Sequence, residues 1–227
     1  MISLVRASWL VLKKDWMLEW RTRARLTALI FFALTTLLIF SFAMGPDIKV
    51  LRAHAAGYLW LGLLFASILS LGESFRVESE NQSLTGLLLI PVDPRAIYVG
   101  KVIGNASLLF GLSVVLLPVT VVLFDIDLTH APLQVIASLG LGALGIAAPG
   151  TVLSAITSRT RARDVLLPLL LFPLLSALMF SGVNATRHAL VADLQSQSNS
   201  WLQLQVAFDL IYLSLGFLVF PSVVEED

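Results

Sequence analysis

The chain has 227 residues, 57% of them hydrophobic and 13% charged, with 15 Lys and Arg balanced by 15 Asp and Glu. Its mean hydropathy is +0.88, whereas soluble domains average about 45–50% apolar and roughly 25% charged residues, so the composition is that of an integral membrane protein. Zero net charge gives no basis for nucleic-acid binding, and the absence of cysteine excludes disulfides, thiolate metal sites and Cys-ligated cofactors.

Within residues 1–25, Ile2, Val5, Trp9, Leu12, Trp16 and Trp20 recur at spacings of three, four and seven, which places them on one helical face. Basic side chains occupy much of the remainder. This pattern predicts an amphipathic elbow helix lying in the membrane interface; the plainer alternative is a solvated leader that sets topology. The stretch lacks a continuous apolar core and a small-residue cleavage site, so no cleavable signal peptide is expected.

A bilayer core about 30 Å thick takes roughly 20 apolar residues of helix. Six stretches fit, at about 26–44, 57–72, 96–124, 132–157, 164–183 and 204–224. The second is short and is expected to extend backwards through residues 53–60. Backbone groups in lipid must be satisfied within the segment, and the alternation of a β-barrel is absent. The expected fold is therefore all-α, with six transmembrane helices in a single domain spanning 1–227. On the fourth span, Ser138, Gly142, Ala143 and Ala147 give the spacing of a close-packing face.

Lys and Arg divide unevenly between the two sides. Arg6, Lys13, Lys14, Arg21, Arg23 and Arg25 precede the first span; Arg76, Arg95 and Lys101 lie between the second and third; Arg159, Arg161 and Arg163 lie between the fourth and fifth. Only Lys49, Arg52 and Arg187 fall on the other side. The excess of cations marks the cytoplasmic face, which predicts that both termini are cytoplasmic.

The connection "ESFRVESENQSLTGLLLIPVDPRAIYVGK", residues 73–101, is far longer than a plain turn requires. Leu84, Leu87 and Leu88 share a helical face, Glu78 and Glu80 precede them, and Pro91 ends the apolar run. Asp93 followed by Pro94 then opens the third span with an N-cap and a proline in the first turn. Residues 73–93 thus read as a short amphipathic helix on the cytoplasmic side. It either lies on the lipid surface or fits a groove on a soluble partner.

This connection resembles the one that follows the second span in ABC-2-type permeases. Together with "GYLWLGLLFASILSLGESFRVE", "RARDVLLPLLLFP" and "FDLIYLSLGFLVFPSVVEE", it resembles the haem exporter protein B family (CcmB). Members of that family are permease subunits of the ABC transporter for cytochrome c maturation. The resemblance implies an ABC-2-type fold in the bacterial inner membrane and a cytoplasmic ATP-binding partner subunit. It also implies a second permease copy and neighbouring haem-handling maturation proteins in the membrane. Phe75, Arg76, Glu78, Glu80, Leu84, Leu87 and Leu88 would then form the coupling helix seated on the ATPase. Haem would be the possible substrate, with ATP consumed by the partner. The sequence holds no G-x-x-x-x-G-K-[ST] stretch, in keeping with nucleotide being handled by another chain.

The implied role is to couple ATP hydrolysis either to haem delivery or to release of a haem-loaded chaperone. The nearly uncharged spans, which offer no evident seat for haem propionates, favour release. An ABC-2 exporter of a lipid or drug, or a non-transporting assembly scaffold, are the alternatives. His54, His130 and His188 are the candidate haem contacts, since haem iron takes an axial His; all three fall in the connections after spans one, three and five. Asp209 is the one acid near a span interior, placed close to the outer end of the sixth. No catalytic or metal-binding arrangement is expected, and residues 184–203 form a polar external connection with Trp201 suited to a membrane interface.

Overall fold

The computed structural model describes residues 4–75, 93–158, 160, 162–190 and 195–225. Among these the chain forms seven α-helices and no strand: α1 (Leu4–Thr22), α2 (Ala24–Ala43), α3 (Ile48–Ser74), α4 (Pro94–Phe124), α5 (Pro132–Ser158), α6 (Arg163–Ala189) and α7 (Gln195–Glu225). Each of the six that follow α1 is long and apolar enough to cross a membrane, with window hydropathies between 1.7 and 2.5. The protein is a multi-pass membrane protein.

A single residue separates α1 from α2. Arg23 has φ 45°, in the left-handed region, where an L side chain crowds its own backbone. Its N–H still donates to the Glu19 carbonyl at 3.1 Å, and its own carbonyl accepts from Thr27 N–H at 3.0 Å. The break therefore reorients the chain without abandoning the backbone bonds on either side. Ala7, Ser8 and Val11 of α1 are buried while Val5, Trp9 and Trp16 remain exposed. The outward residues belong to the stripe that the sequence assigns to the interface. The packed face rests on α4, where Gly100 lets the helices approach: a Cβ there would stand 2.8 Å from both the Ser8 carbonyl oxygen and the Val11 Cβ.

α3 and α5 form the middle of the bundle, with 67% of each apolar window buried, against 17% for α2 and α7. The Trp60 indole of α3 is pressed between Gly142 of α5 and Gly182 of α6, where any Cβ would collide with the ring. Its Nε1–H donates to the Thr186 hydroxyl at 3.0 Å. Ser138, Gly142, Ala143 and Ala147 are all buried. Val11, Phe75, Tyr98, Phe220 and Val224 pack into one cluster, so α1, the C-terminal ends of α3 and α7 and the start of α4 share one end of the bundle, the basal end.

Helix boundaries differ from the sequence expectation at the opposite end. α3 starts at Ile48, capped by Asp47, whose carboxylate accepts from Lys49 N–H at 2.9 Å. α6 continues to Ala189 and α7 begins at Gln195, so 184–203 consists mostly of helix ends. Hydropathy marks where a helix stops being apolar, whereas capping and hydrogen bonding decide where it stops being a helix. Ser198, for instance, donates to the Ala185 carbonyl at 2.9 Å, joining the two polar ends.

Candidate functional site

A polar knot holds the basal end together. Lys101, about two turns into α4 and 4% exposed, donates from Nζ to the Ser74 carbonyl at 2.7 Å. The same ammonium lies 3.2 Å from Asp15 Oδ2 of α1 and 4.9 Å above the Phe75 ring. One turn further along α4, Asn105 Nδ2 donates to Ser74 Oγ and to Thr151 Oγ1 of α5, each at 3.1 Å. The last residue of α3 is thereby tied to α1, α4 and α5. A buried ammonium in apolar surroundings is costly unless carboxylate and carbonyl partners surround it, and Asp15 and Ser74 provide both.

The other flank of the 76–92 segment is also anchored. Asp93 caps α4 by accepting from Arg95 N–H at 2.9 Å, with Pro94 in the first turn. The Arg95 guanidinium lies 5.3 Å over the Phe217 ring of α7. Tyr98, buried against Phe220 at a ring distance of 5.4 Å, donates its hydroxyl to the Ala148 carbonyl of α5 at 3.3 Å. Gly216 of α7 makes room for that phenol.

Of the residues expected to meet an ATPase, Arg76, Glu78, Glu80, Leu84, Leu87 and Leu88 lie outside the described residues. Phe75 is described: it is 1% exposed and its ring sits 6.3 Å from that of Phe220. It faces the interior at the C-terminal end of α3. The anchoring residues Asp15, Ser74, Lys101 and Asn105 were not picked out by motif. Lys101 alone carried a readable signal, as an ionisable residue inside the third apolar stretch.

The three histidines sit at the opposite end without converging. His54 lies in the second turn of α3, 6.1 Å from the Tyr58 ring, and His188 lies in the last turn of α6, stacked at 6.4 Å on Trp201. Both ride on helix extensions rather than loops. His130 stays in the α4–α5 loop, with Nε2 4.0 Å from Asp127 Oδ2. Hydrogen bonds from the Thr129 side chain and backbone hold the Asp127 carboxyl below the usual carboxylate range. No group of three or more His, Asp or Glu among the described residues is placed to hold a metal ion.

Asp209 is deeper than the sequence placed it. α7 begins at Gln195 and ends at Glu225, so Asp209 lies at its midpoint rather than near the outer end. It is 3% exposed and neither carboxyl oxygen has a hydrogen-bond partner. Oδ1 is in close contact with the space a Cβ would take on Gly145 of α5. Pro149, four residues on, lacks the N–H that would bond the Gly145 carbonyl.

The profile of the family described as CcmB protein matches residues 6–226. "Heme exporter protein B" of Rhodobacter capsulatus is 33% identical over 160 residues, covering 70% of this chain and 72% of the relative. The protein of the same name from Pseudomonas aeruginosa is 29% identical over 195 residues, covering 85% and 86%. That of Paracoccus denitrificans is 32% identical over 161 residues, covering 70% and 72%. The matched region contains α2 to α7 and nearly all of α1. The chain belongs to the CcmB protein family.

Proposed function

We propose that this protein is the permease subunit of an ABC transporter acting in cytochrome c maturation in a bacterial inner membrane. The basal end faces the cytoplasm, both termini included, and residues 73–93 are the coupling segment that rests on a separate ATP-binding subunit. A second permease copy and haem-handling membrane proteins complete the assembly. The subunit converts ATP hydrolysis by its partner into haem delivery or into release of a haem-loaded chaperone. The name shared by its relatives and the cation excess around the basal connections support this reading.

The observation that carries it is the Lys101–Ser74 tether. A segment can drive two spans only if both of its ends are fixed to them. Here α3 ends in the carbonyl that Lys101 of α4 holds at 2.7 Å, and α4 starts from the Asp93 cap. Force applied to 76–92 therefore moves the ends of α3 and α4 as one body, and Asn105 and Thr151 pass it to α5. Packed helices respond to such a push by rigid-body rocking rather than by local yielding.

The test is made in cells that depend on this chain for cytochrome c maturation. Charge reversal at Glu78 and Glu80, or polar replacement of Leu84 and Leu87, should leave membrane insertion intact but separate ATP hydrolysis from cytochrome formation. Full maturation by those variants removes the coupling assignment. Full maturation with an ATPase-inactive partner would instead make the chain an assembly scaffold.

A further inference from the structure

Pro149 leaves a gap in α5. A proline has no N–H to offer the carbonyl four residues earlier and crowds it with its ring. The Gly145 carbonyl therefore loses its intrahelical donor inside an apolar span. An unpaired carbonyl is costly in lipid, and helices bend at such points. The tie from Asn105 to Thr151 Oγ1 enters α5 two residues beyond Pro149. The weak point thus separates the basal half of α5, joined there to α4, from its outer half.

Asp209 of α7 stands against that gap. It is 3% exposed, and a Cβ on Gly145 would collide with its Oδ1 and with both methyl carbons of Leu178. No donor meets either carboxyl oxygen. Other polar side chains along the α5–α7 seam are engaged elsewhere. Gln205 bonds the Ser138 hydroxyl and carbonyl at 3.1 and 3.3 Å, and Tyr98 donates to the Ala148 carbonyl.

Among the described residues, no cation is placed to neutralise a carboxylate here. α7 packs against α4, α5 and α6. α5 has no charged residue, and the charged and titratable groups of α6, Arg163, Asp164, Arg187 and His188, lie in its terminal turns. Arg187 is nine residues beyond Leu178, about 13 Å along the helix at 1.5 Å per residue. On α4, Arg95 lies over Phe217, and Lys101 is held by Ser74 and Asp15. An isolated buried carboxylate in such surroundings takes up a proton instead of keeping its charge. A neutral carboxyl has one O–H to donate, and the acceptor that α5 leaves open beside it is the Gly145 carbonyl.

We propose that Asp209 is carried as the neutral acid and donates its O–H to the Gly145 carbonyl, replacing the backbone donor that Pro149 removes. Asp209 is a positioning residue. Its bond pins α5 to α7 at the weak point, so that the two halves of α5 move as one helix.

A double-mutant cycle on the full-length chain in detergent tests the pin. Asp209→Asn keeps a donor in its amide N–H, whereas Asp209→Leu keeps the shape and has none. Each is made with Pro149 in place and in Pro149→Ala, which restores the backbone N–H at that position. The melting temperature of the Asn variant relative to the Leu variant should be about 2–4 °C higher with Pro149 than in Pro149→Ala. That is the scale of one net hydrogen bond in a chain of this size, isolated by the cycle. The same Asn–Leu difference in both backgrounds overturns the assignment. Infrared difference spectra of wild type against Asp209→Asn at neutral pH give a second readout that needs no proline variant. The carbonyl stretch of a protonated carboxyl group should be present in wild type and lost in Asp209→Asn. Its absence from wild type, or a band that the substitution leaves untouched, equally overturns the proposal.

Discussion

The Nζ of Lys101 and the backbone carbonyl of Ser74 are 2.7 Å apart, across a sequence separation of 27. The carbonyl belongs to the last turn of α3 and would otherwise lack a donor, as the final carbonyls of any helix do. The ammonium comes from an otherwise apolar span. One hydrogen bond therefore satisfies a helix end, closes the 75–93 connection and fixes where the charge of Lys101 is spent. Asp15 at 3.2 Å completes the arrangement from α1.

Lys101→Ala should lower stability by about 2–3 kcal/mol, because it removes the donor to the Ser74 carbonyl and leaves Asp15 with Lys14 as its remaining ion-pair partner at 3.2 Å. The lower end applies, since Asp15 retains 22% side-chain exposure and water compensates it in part. Thermal unfolding of the detergent-solubilised chain measures the loss. Asn105→Ala, which breaks two neutral hydrogen bonds, should cost about 1–2 kcal/mol. If both variants unfold like wild type, the basal end is held by apolar packing alone.

The Trp60 seat makes a sharper prediction. Gly142→Val places a branched side chain against an indole already confined by Gly182. The bundle has no other place for the ring, so the expected loss is about 3 kcal/mol or more. Thr186→Val keeps the shape and removes only the acceptor of the indole N–H, at about 1–2 kcal/mol. A fluorescence melt that reads Trp60 burial should rank the two in that order.

Asp209 is buried at the centre of α7 with no hydrogen-bond partner, so its neutral isostere should be tolerated. Asp209→Asn is expected to change stability by less than about 1 kcal/mol and to insert normally. Asp209→Lys sets a longer, charged side chain against Leu178 and the backbone of Gly145, and should prevent a stable bundle from forming. Expression and gel-filtration profiles of the two variants distinguish these outcomes.

The elbow between α1 and α2 depends on one strained residue. Arg23→Gly relieves the left-handed φ of 45° and should be neutral or stabilising by up to about 1 kcal/mol. Arg23→Pro fixes φ near −65° and removes the N–H that bonds the Glu19 carbonyl. It should straighten or detach α1, seen as faster proteolysis within residues 4–22.

Six apolar stretches and an amphipathic leader were legible in the sequence, because lipid requires each span to satisfy its own backbone and to expose apolar side chains. That requirement is local, and local patterns suffice to read it. The stripe of Val5, Trp9 and Trp16 and the small-residue face of Ser138, Gly142, Ala143 and Ala147 followed from the same periodicity. Where Asp209 sits was not legible: hydropathy drew the last span from 204, whereas α7 begins at Gln195. The polar knot was equally hidden. Asp15, Ser74, Asn105 and Thr151 are unremarkable one at a time and acquire meaning only through partners 27 to 86 positions away along the chain. The sequence alone determined which segments enter the membrane, since the solvent acts on each separately. Tertiary structure decided which polar groups share a bond, because a buried charge is tolerated only where packing brings its partners within reach.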